Sequence, residues 1–269
     1  MQSHKSDNSF NYCDEYNEQP HLWDKPLNDA EKERLSVTRS FIPKDVETIL
    51  DVGCGDGRIT NELAKYNIIG IDASREAIKY VKTPKVLARI EQIPFQNKSF
   101  DLVLYTQVAE HLPNAILRKS IREVERVSKK YILLSVPFKE NLYAGMTKCN
   151  NCGEVFHIYN HFQSFSKKRL ASLFPGFKPV DWITFGPYGE YRNKLLSFLA
   201  RLGGKWSVDT HTLCPKCGSK NAGTEQGNIL SWVAERVNWR IGSIYPFKRK
   251  RWIAVLYEKS NTMRKQWPS

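Results

Sequence analysis

The sequence predicts an α/β fold in which helices cover both faces of a largely parallel sheet. Short apolar runs of strand length alternate with stretches of helical period, and a glycine-rich turn joins the first strand to the segment after it. Of the 269 residues, 41% are hydrophobic and 26% are charged, as in an ordinary globular protein. This composition excludes collagen-like, low-complexity and largely disordered chains.

The first half of the chain contains the regular part of the alternation. Residues 1–45 are predicted to form a polar lid that ends in a helix, which Asn28 or Asp29 caps and which continues to about Phe41. The strands predicted within residues 46–137 are Glu47–Val52, Asn67–Asp72, Lys85–Arg89, Phe100–Tyr105 and Lys130–Val136. The helices predicted between them are Arg58–Tyr66, one that begins at Ser74, and Pro113–Ser128.

Two insertions interrupt the second half. The first insertion is predicted at 138–165, and the second, which is helical, at 189–250. Between them, residues 166–188 are predicted to form a core helix, Ser166–Phe174, and a strand, Phe177–Phe185. Residues 251–269 are predicted to form the final strand, Arg251–Glu258, and a tail. The helical insertion contains two patterns with apolar stripes, formed by Leu195, Leu199 and Leu202 and by Leu230, Val233, Val237 and Ile241.

The net charge of +13 is concentrated in the second half. Residues 1–148 contain 22 Lys and Arg against 21 Asp and Glu, whereas residues 149–269 contain 19 against 7. This asymmetry indicates an anionic partner, such as nucleic acid, a membrane surface or a phosphorylated substrate, with a solvated basic face as the alternative. Trp232, Trp239 and Trp252 accompany the basic run Lys248–Arg251, and we interpret them as a core stripe beside a solvated charge run rather than as a membrane or nucleic-acid interface.

The sequence carries no targeting segment that we can identify. No apolar run approaches the roughly 18 to 20 residues that a transmembrane helix needs. The first ten residues lack the apolar stretch and the cleavage site of a secretory signal. We therefore expect a cytoplasmic protein with no transmembrane segment.

The glycine-rich turn carries the most specific chemistry. Gly53, Gly55 and Gly57 follow an apolar strand, so the backbone there can approach a ligand closely. Asp72 ends the next strand, where a carboxylate can accept hydrogen bonds from the two hydroxyls of a ribose. The spacing differs from the G-x-G-x-x-G of dinucleotide-binding turns.

With these motifs the chain resembles the class I S-adenosylmethionine-dependent methyltransferases. DVGCGDG, IIGIDAS, IEQIPFQNKSFDLV and YTQVAEHLP are similar to the first four motifs of that family and occur in its order. The resemblance covers about Thr48 to Phe177 and the last strand. It implies a doubly wound, Rossmann-like sheet of seven strands with the last strand antiparallel, and S-adenosylmethionine (SAM) as cofactor.

The resemblance also implies roles for individual residues of the cofactor site. Asp51 and Gly53 would lie along the methionine part of SAM, and Asp72 would hold the ribose. Gly55 and Ala73 are further predicted cofactor-binding residues. Ile90 and Glu91 would flank the adenine, and Gln107 would lie near the sulfonium. Many relatives have Asp where Arg89 stands, so adenine recognition is expected to use backbone groups near Ile90.

A hydroxyl acceptor needs a general base, and His111 is the first candidate because imidazole titrates near neutral pH and the E-H-L-P turn follows the fourth strand. In the alternative interpretation, Glu110 and His111 only cap the loop and the following helix. His157, His161 and Tyr143 are rival bases, and one of the two histidines could instead bind a metal ion.

The two C-x-x-C-G motifs predict a structural zinc site. Cys149, Cys152, Cys214 and Cys217 would supply the four thiolates of a closed tetrahedral site that ties the two insertions together. Free thiols are the alternative.

We therefore expect a SAM-dependent methyltransferase acting on a small-molecule or glycan hydroxyl, including phosphorylated or lipid-linked glycans. An rRNA or tRNA methyltransferase with a zinc ribbon and a non-catalytic SAM-binding scaffold are the alternatives.

Overall fold

A computed structural model describes residues 18–19, 22–189, 191–208, 212–220, 222–224, 226–244 and 249–260. Its strands are β1 (Thr48–Val52), β2 (Asn67–Asp72), β3 (Lys85–Leu87), β4 (Phe100–Thr106), β5 (Ser128–Pro137), β6 (Met146–Lys148), β7 (Val155–His157), β8 (Phe177–Gly189) and β9 (Arg249–Lys259). Its α-helices are α1 (Asp29–Ser40), α2 (Asn114–Val127), α3 (Lys167–Ala171), α4 (Lys194–Leu202) and α5 (Ile229–Ile244).

The described residues divide into two units. The sheet unit draws on Pro20–Glu140, Phe162–Gly189 and Arg249–Ser269. The accessory unit draws mainly on Asn141–His161 and Glu190–Lys248. No helix among the residues described above is long and apolar enough to cross a membrane.

The sheet unit contains a seven-stranded sheet with the strand order β3-β2-β1-β4-β5-β9-β8. Strands β1 to β5 pair in parallel, whereas β9 is antiparallel to both of its neighbours, β5 and β8. The central strand β4 is buried along its whole length, because the sheet is covered on both faces. The predicted fold, with seven strands and the last one antiparallel, is confirmed.

Local sequence signals explain where two helices of the sheet unit begin. The Asn28 side chain accepts a hydrogen bond from the Glu31 N–H, and the Glu31 carboxylate accepts one from the Asn28 N–H, so α1 begins with a capping box. The Ser166 hydroxyl accepts a hydrogen bond from the Arg169 N–H and caps α3. The predictions that Asn28 caps the lid helix and that a helix follows Ser166 are confirmed.

Two predicted helices are wrong. In place of Arg58–Tyr66, the segment forms turns and one short 3-10 helix, Asn61–Leu63. The helix expected from Ser74 is reduced to the 3-10 helix Ala77–Tyr80. The apolar spacing in the first segment matches a helix, but β2 begins at Asn67, and the few residues left after the glycine turn cannot sustain several helical turns.

The accessory unit consists of the hairpin of β6 and β7 and the helices α4 and α5. Its helices bury small or polar residues and leave large apolar ones exposed, which is the reverse of the usual pattern. Trp252 of the sheet unit is buried, as expected, but Trp232 and Trp239 are 60% and 70% exposed, so their interpretation as core residues is wrong. Lys248 of the basic run lies outside the described residues.

Candidate cofactor site and metal centre

The glycine turn lies at the carboxyl edge of β1 and β2 and is held in place by hydrogen bonds from its backbone. The N–H groups of Gly53 and Cys54 donate to the Ile71 carbonyl at 2.8 and 3.0 Å. Gly53 and Gly55 have φ angles of +72° and +55°, which favour glycine. The turn is therefore fixed against the end of β2, where ligands of open α/β sheets bind.

Asp72 connects the turn to the segment after β2. Its Oδ2 accepts the Gly55 N–H and its Oδ1 accepts the Ser74 N–H, both at 2.8 Å. A carboxylate oxygen can accept more than one hydrogen bond, so accepting these N–H groups is compatible with binding ligand hydroxyls. These two bonds orient the carboxylate at the position where the sequence predicts ribose binding, and Ala73 lies between Asp72 and Ser74 in the chain.

Val108 and Trp23 also shape the turn, although the sequence analysis assigned neither of them to the site. A Cβ atom added to Gly53 would lie 2.5 Å from Val108 Cγ2. The Val108 side chain, which follows β4, therefore leaves room only for glycine at position 53. A Cβ atom at Gly55 would lie 3.3 Å from the ring of Trp23. The sequence signal for Trp23 is an aromatic residue in a polar segment, and Val108 lies within the motif YTQVAEHLP.

Asp51 is buried beneath the turn. Its Oδ2 accepts a hydrogen bond of 2.6 Å from the Thr60 hydroxyl. Burial raises the pKa of Asp51 to about 6, and the negative charge of Asp72 adds to that rise, although the Thr60 hydrogen bond opposes it. The carboxylate can therefore change its charge near neutral pH, where a cationic ligand would favour the ionised form.

Gln107 follows β4 at the same edge of the sheet, with a φ of +57°. Its N–H donates to the Ser135 carbonyl at 2.7 Å, and its side-chain amide donates to the Ser135 hydroxyl at 3.1 Å. A non-glycine residue in this conformation is uncommon and is held by such bonds. Ser135 thus orients Gln107, another contribution that the motifs do not reveal.

The residues expected beside the adenine follow β3. Ile90 packs against the main core of the sheet unit. The Arg89 guanidinium donates to the Glu91 carboxylate at 2.8 Å, so the residue that departs from the family pattern pairs with a predicted binding residue. Adenine recognition through backbone groups near Ile90 stays a prediction.

His111 ends a short 3-10 helix, Ala109–His111, between β4 and α2. Its imidazole is partly exposed, whereas the neighbouring Glu110 is buried. The Glu110 carbonyl accepts hydrogen bonds from the N–H groups of Phe162 and Gln163, which fixes this turn to the segment before α3. His111 is therefore held on a fixed turn at the carboxyl edge of β4.

The rival bases His157, His161 and Tyr143 belong to the accessory unit. The rings of His157 and His161 stack with centroids 5.0 Å apart. His157 is buried, and its Nδ1 accepts the N–H groups of Tyr159 and His161 at 3.2 and 3.4 Å. The Tyr143 ring packs edge-on against Phe198 of α4. The structure thus brings the two histidines together. The His157 ring also holds the backbone of residues 159–161 through these two hydrogen bonds.

The four cysteines of the two C-x-x-C motifs converge in the accessory unit. Their sulfur atoms all lie within 4.8 Å of one another, with Cys149 to Cys217 at 3.6 Å and Cys152 to Cys214 at 3.5 Å. A tetrahedral zinc ion with Zn–S bonds of about 2.3 Å separates its sulfurs by about 3.8 Å, so the four residues fit such an ion.

The two motifs form matching turns around these sulfurs. The N–H of Gly153 donates to the Cys149 carbonyl, and that of Gly218 donates to the Cys214 carbonyl, both at 2.9 Å. Both glycines have positive φ angles, of +76° and +69°. The repeated geometry accounts for a glycine after each motif.

The part of the chain that contains the glycine turn and strands β1 to β4 is similar to known proteins. Residues 50–133 match a family described as methyltransferase domain. An uncharacterised protein of Methanocaldococcus jannaschii is 40% identical over 100 residues, which is 35% of this chain and 38% of that protein. The ubiquinone biosynthesis O-methyltransferase of Ralstonia nicotianae is 30% identical over 102 residues, which is 34% of this chain and 43% of that enzyme. The chain thus spans about two fifths of the length of these relatives.

The fold is also found among solved structures. A SAM-dependent methyltransferase from Archaeoglobus fulgidus has a TM-score of 0.52 at 18% identity, covering 93% of this chain and 99% of that one. This likeness concerns the fold, while the family match and the motif residues concern the sequence. Residues 50–133 are thus similar in sequence to a methyltransferase domain, and the chain shares its fold with a SAM-dependent methyltransferase.

Proposed function

We propose that the protein transfers a methyl group from SAM to a hydroxyl group of a small-molecule or glycan acceptor. The observation that carries the proposal is the set of oriented groups at one sheet edge: the Gly55–Asp72 hydrogen bond, the buried Asp51 carboxylate and the positive-φ Gln107. The similarity to ubiquinone biosynthesis O-methyltransferases supports oxygen as the accepting atom.

In this proposal, Asp72 and Asp51 bind the cofactor, and His111 accepts a proton. When bound, SAM would supply a methyl group on a positively charged sulfur. The acceptor oxygen would attack the methyl carbon in line with the departing sulfur. Asp72 would hold the ribose hydroxyls, and Asp51 would provide negative charge near the cationic methionine part. His111 would accept the hydroxyl proton as the oxygen–carbon bond forms and the sulfur–carbon bond breaks.

Replacing the proposed base tests this assignment. His111→Ala should lower kcat by roughly 10²- to 10⁴-fold, because the hydroxyl proton loses its acceptor, while SAM affinity measured by calorimetry stays within about twofold. Methyl transfer would be followed with labelled SAM on phenolic, glycan and RNA acceptors. His161→Ala, which removes a rival base on the accessory unit, is measured beside it.

The outcomes separate the alternatives. Near-normal turnover of His111→Ala with a large loss in His161→Ala would move the base to the accessory unit. Turnover on RNA alone would contradict the acceptor class. SAM binding without turnover on any acceptor would favour the non-catalytic scaffold.

We also propose that the four cysteines bind a structural zinc ion. The four thiolates fill all positions of a tetrahedral site, so no position remains for a substrate or a reactive water molecule. Such an ion would join the β6–β7 hairpin, through Cys149 and Cys152, to the segment before α5, through Cys214 and Cys217.

A further inference from the structure

The helices α4 and α5 contact each other through small and polar side chains. The residues that these helices bury are Ser197, Ala200 and Arg201 of α4 and Ser231, Ala234 and Asn238 of α5. Asn238 accepts the Asn193 N–H at 2.7 Å through its Oδ1 and donates to the Ser197 hydroxyl at 3.2 Å. The buried positions of both helices are therefore small or polar, whereas Leu196, Leu199 and Ile241 are only partly buried.

The backbones approach closely at the end of α4. A Cβ atom added to Gly203 would lie 2.5 Å from the Ser231 nitrogen, so only glycine fits there. Close contact through small residues with interhelical hydrogen bonds is typical of helices that pack in lipid, where the apolar side chains face outward. In water, the usual arrangement buries the apolar stripe instead.

The apolar stripes predicted from the sequence lie largely on the exposed side. On α4, Leu195 and Leu202 are 64% and 61% exposed, and Phe198 lies beside them. On α5, Ile229 is 81% exposed and Ile244 is 66% exposed, in addition to the two tryptophans described above. We call the exposed large apolar side chains of the two helices the apolar surface. Its most exposed members are Leu195, Leu202, Ile229, Trp232, Trp239 and Ile244.

The charges on the same helices indicate an anionic partner. Lys194, Arg236 and Arg240 are exposed, and Arg236 lies over the Trp232 ring at 5.3 Å. Among the described residues of 191–208 and 226–244, Glu235 is the acidic residue, and it pairs with Arg192 at 3.0 Å. After Ile244 the sequence continues through two aromatic residues into the basic run Lys248–Arg251.

These features favour a lipid surface over a second protein chain. Tryptophan and arginine side by side suit the interface between headgroups and acyl chains, and the exposed cations complement anionic headgroups. The 16 residues of α5 extend only about 24 Å, less than the roughly 30 Å of a hydrocarbon core. We propose that the α4–α5 pair binds an anionic membrane surface, with its apolar surface in the interfacial layer and without crossing the bilayer.

Vesicle flotation of the full chain tests the proposal. The probes are phosphatidylcholine vesicles with and without one third phosphatidylglycerol, and partition into the anionic vesicles should be stronger and should fall with added salt. Leu195→Gln/Leu202→Gln should lower this partition at least about tenfold, because the lost side chains no longer enter the lipid. The matched control is Val180→Gln/Ile183→Gln, which removes exposed apolar residues of β8 and should leave partition unchanged.

A second pair of variants tests the charge. Arg236→Gln/Arg240→Gln should weaken binding to anionic vesicles by about fivefold per residue and flatten its salt dependence. Lys82→Gln/Lys119→Gln removes two exposed cations of the sheet unit and serves as the control. Quenching of tryptophan fluorescence by brominated lipid, lost in Trp232→Ser/Trp239→Ser, should report insertion directly.

The contrary results are distinct. No binding to either vesicle by correctly folded protein would overturn the proposal, as would equal losses in the test and control variants. A concentration-dependent dimer abolished by Leu195→Gln/Leu202→Gln would assign the apolar surface to a second copy. Binding to RNA but not to vesicles would assign the charges to nucleic acid.

Discussion

The Gly55 N–H donates a 2.8 Å hydrogen bond to Asp72 Oδ2, which joins the glycine turn to the end of the second strand. This bond links two motifs that lie 17 positions apart in the chain. It sets the orientation of the carboxylate before any ligand arrives, so a ribose would meet a fixed acceptor rather than a mobile side chain. Because of this bond, we expect substitutions at Gly55 and at Asp72 to weaken cofactor binding in the same way.

Cofactor affinity should depend on both of these residues. Gly55→Val places a branched side chain against Trp23 and in a positive-φ conformation, and Asp72→Ala removes the ribose acceptor. Each should weaken SAM binding by at least about tenfold, since each costs a charge-assisted hydrogen bond or its geometry. Isothermal titration calorimetry measures the affinity.

Gly204→Ala is the control for strain alone, because Gly204 also has a positive φ and a Cβ there meets no atom within 4 Å. Unchanged SAM affinity in both Gly55→Val and Asp72→Ala would contradict the assignment of the cofactor site.

The buried Asp51 predicts opposite pH dependences for folding and for cofactor binding. Its folded-state pKa of about 6 is above the ordinary value of 3.8, so its contribution to stability should decline as pH rises from about 4 to 6. Asp51→Asn should raise the melting temperature at pH 7.5, because the penalty of a buried charge disappears and Thr60 can still donate to the amide oxygen.

Binding of the cationic cofactor should instead favour the ionised carboxylate. SAM affinity should fall as pH decreases through about 6, and Asp51→Asn should flatten that dependence while lowering affinity at pH 7.5. Calorimetry between about pH 5 and about pH 8, a range that brackets the Asp51 pKa of about 6, measures both. The same pH profile in Asp51→Asn as in the unmodified chain would show that another group titrates.

The four cysteines should retain one zinc ion per chain through purification. Cys149→Ser or Cys214→Ser should reduce the zinc content to near zero, because three remaining thiolates bind the metal much more weakly. Elemental analysis gives the stoichiometry. Cys54→Ser, which removes a thiol of the glycine turn outside the cluster, should leave the zinc content unchanged.

Chelation should also lower the thermal stability of the accessory unit more than that of the sheet unit. Binding energies of about 10–16 kcal/mol in small zinc domains are large enough to decide whether such a unit folds. Metal-replete protein that contains no zinc and has four readily titrated thiols would remove the zinc proposal.

The features that the sequence determined by itself depend on short spacings. The strand that precedes Gly53, the acidic end of β2 at Asp72 and each C-x-x-C-G motif are local patterns, because neighbouring residues fix their geometry. The succession of apolar strands sufficed for the parallel part of the sheet, although two helices predicted between them are wrong, and the family resemblance implied the antiparallel last strand.

Other features required the tertiary structure because they depend on contacts between distant residues. Val108 beneath Gly53, Trp23 beside Gly55 and Ser135 behind Gln107 are brought together only by the folded sheet unit. Periodicity predicted the apolar stripe of Leu195 and Leu202, but a stripe specifies one side of a helix and not whether that side is buried. In the folded chain, Gly203 lies close to the Ser231 backbone, so α4 and α5 contact each other through their small residues. The apolar side chains of both helices therefore remain exposed.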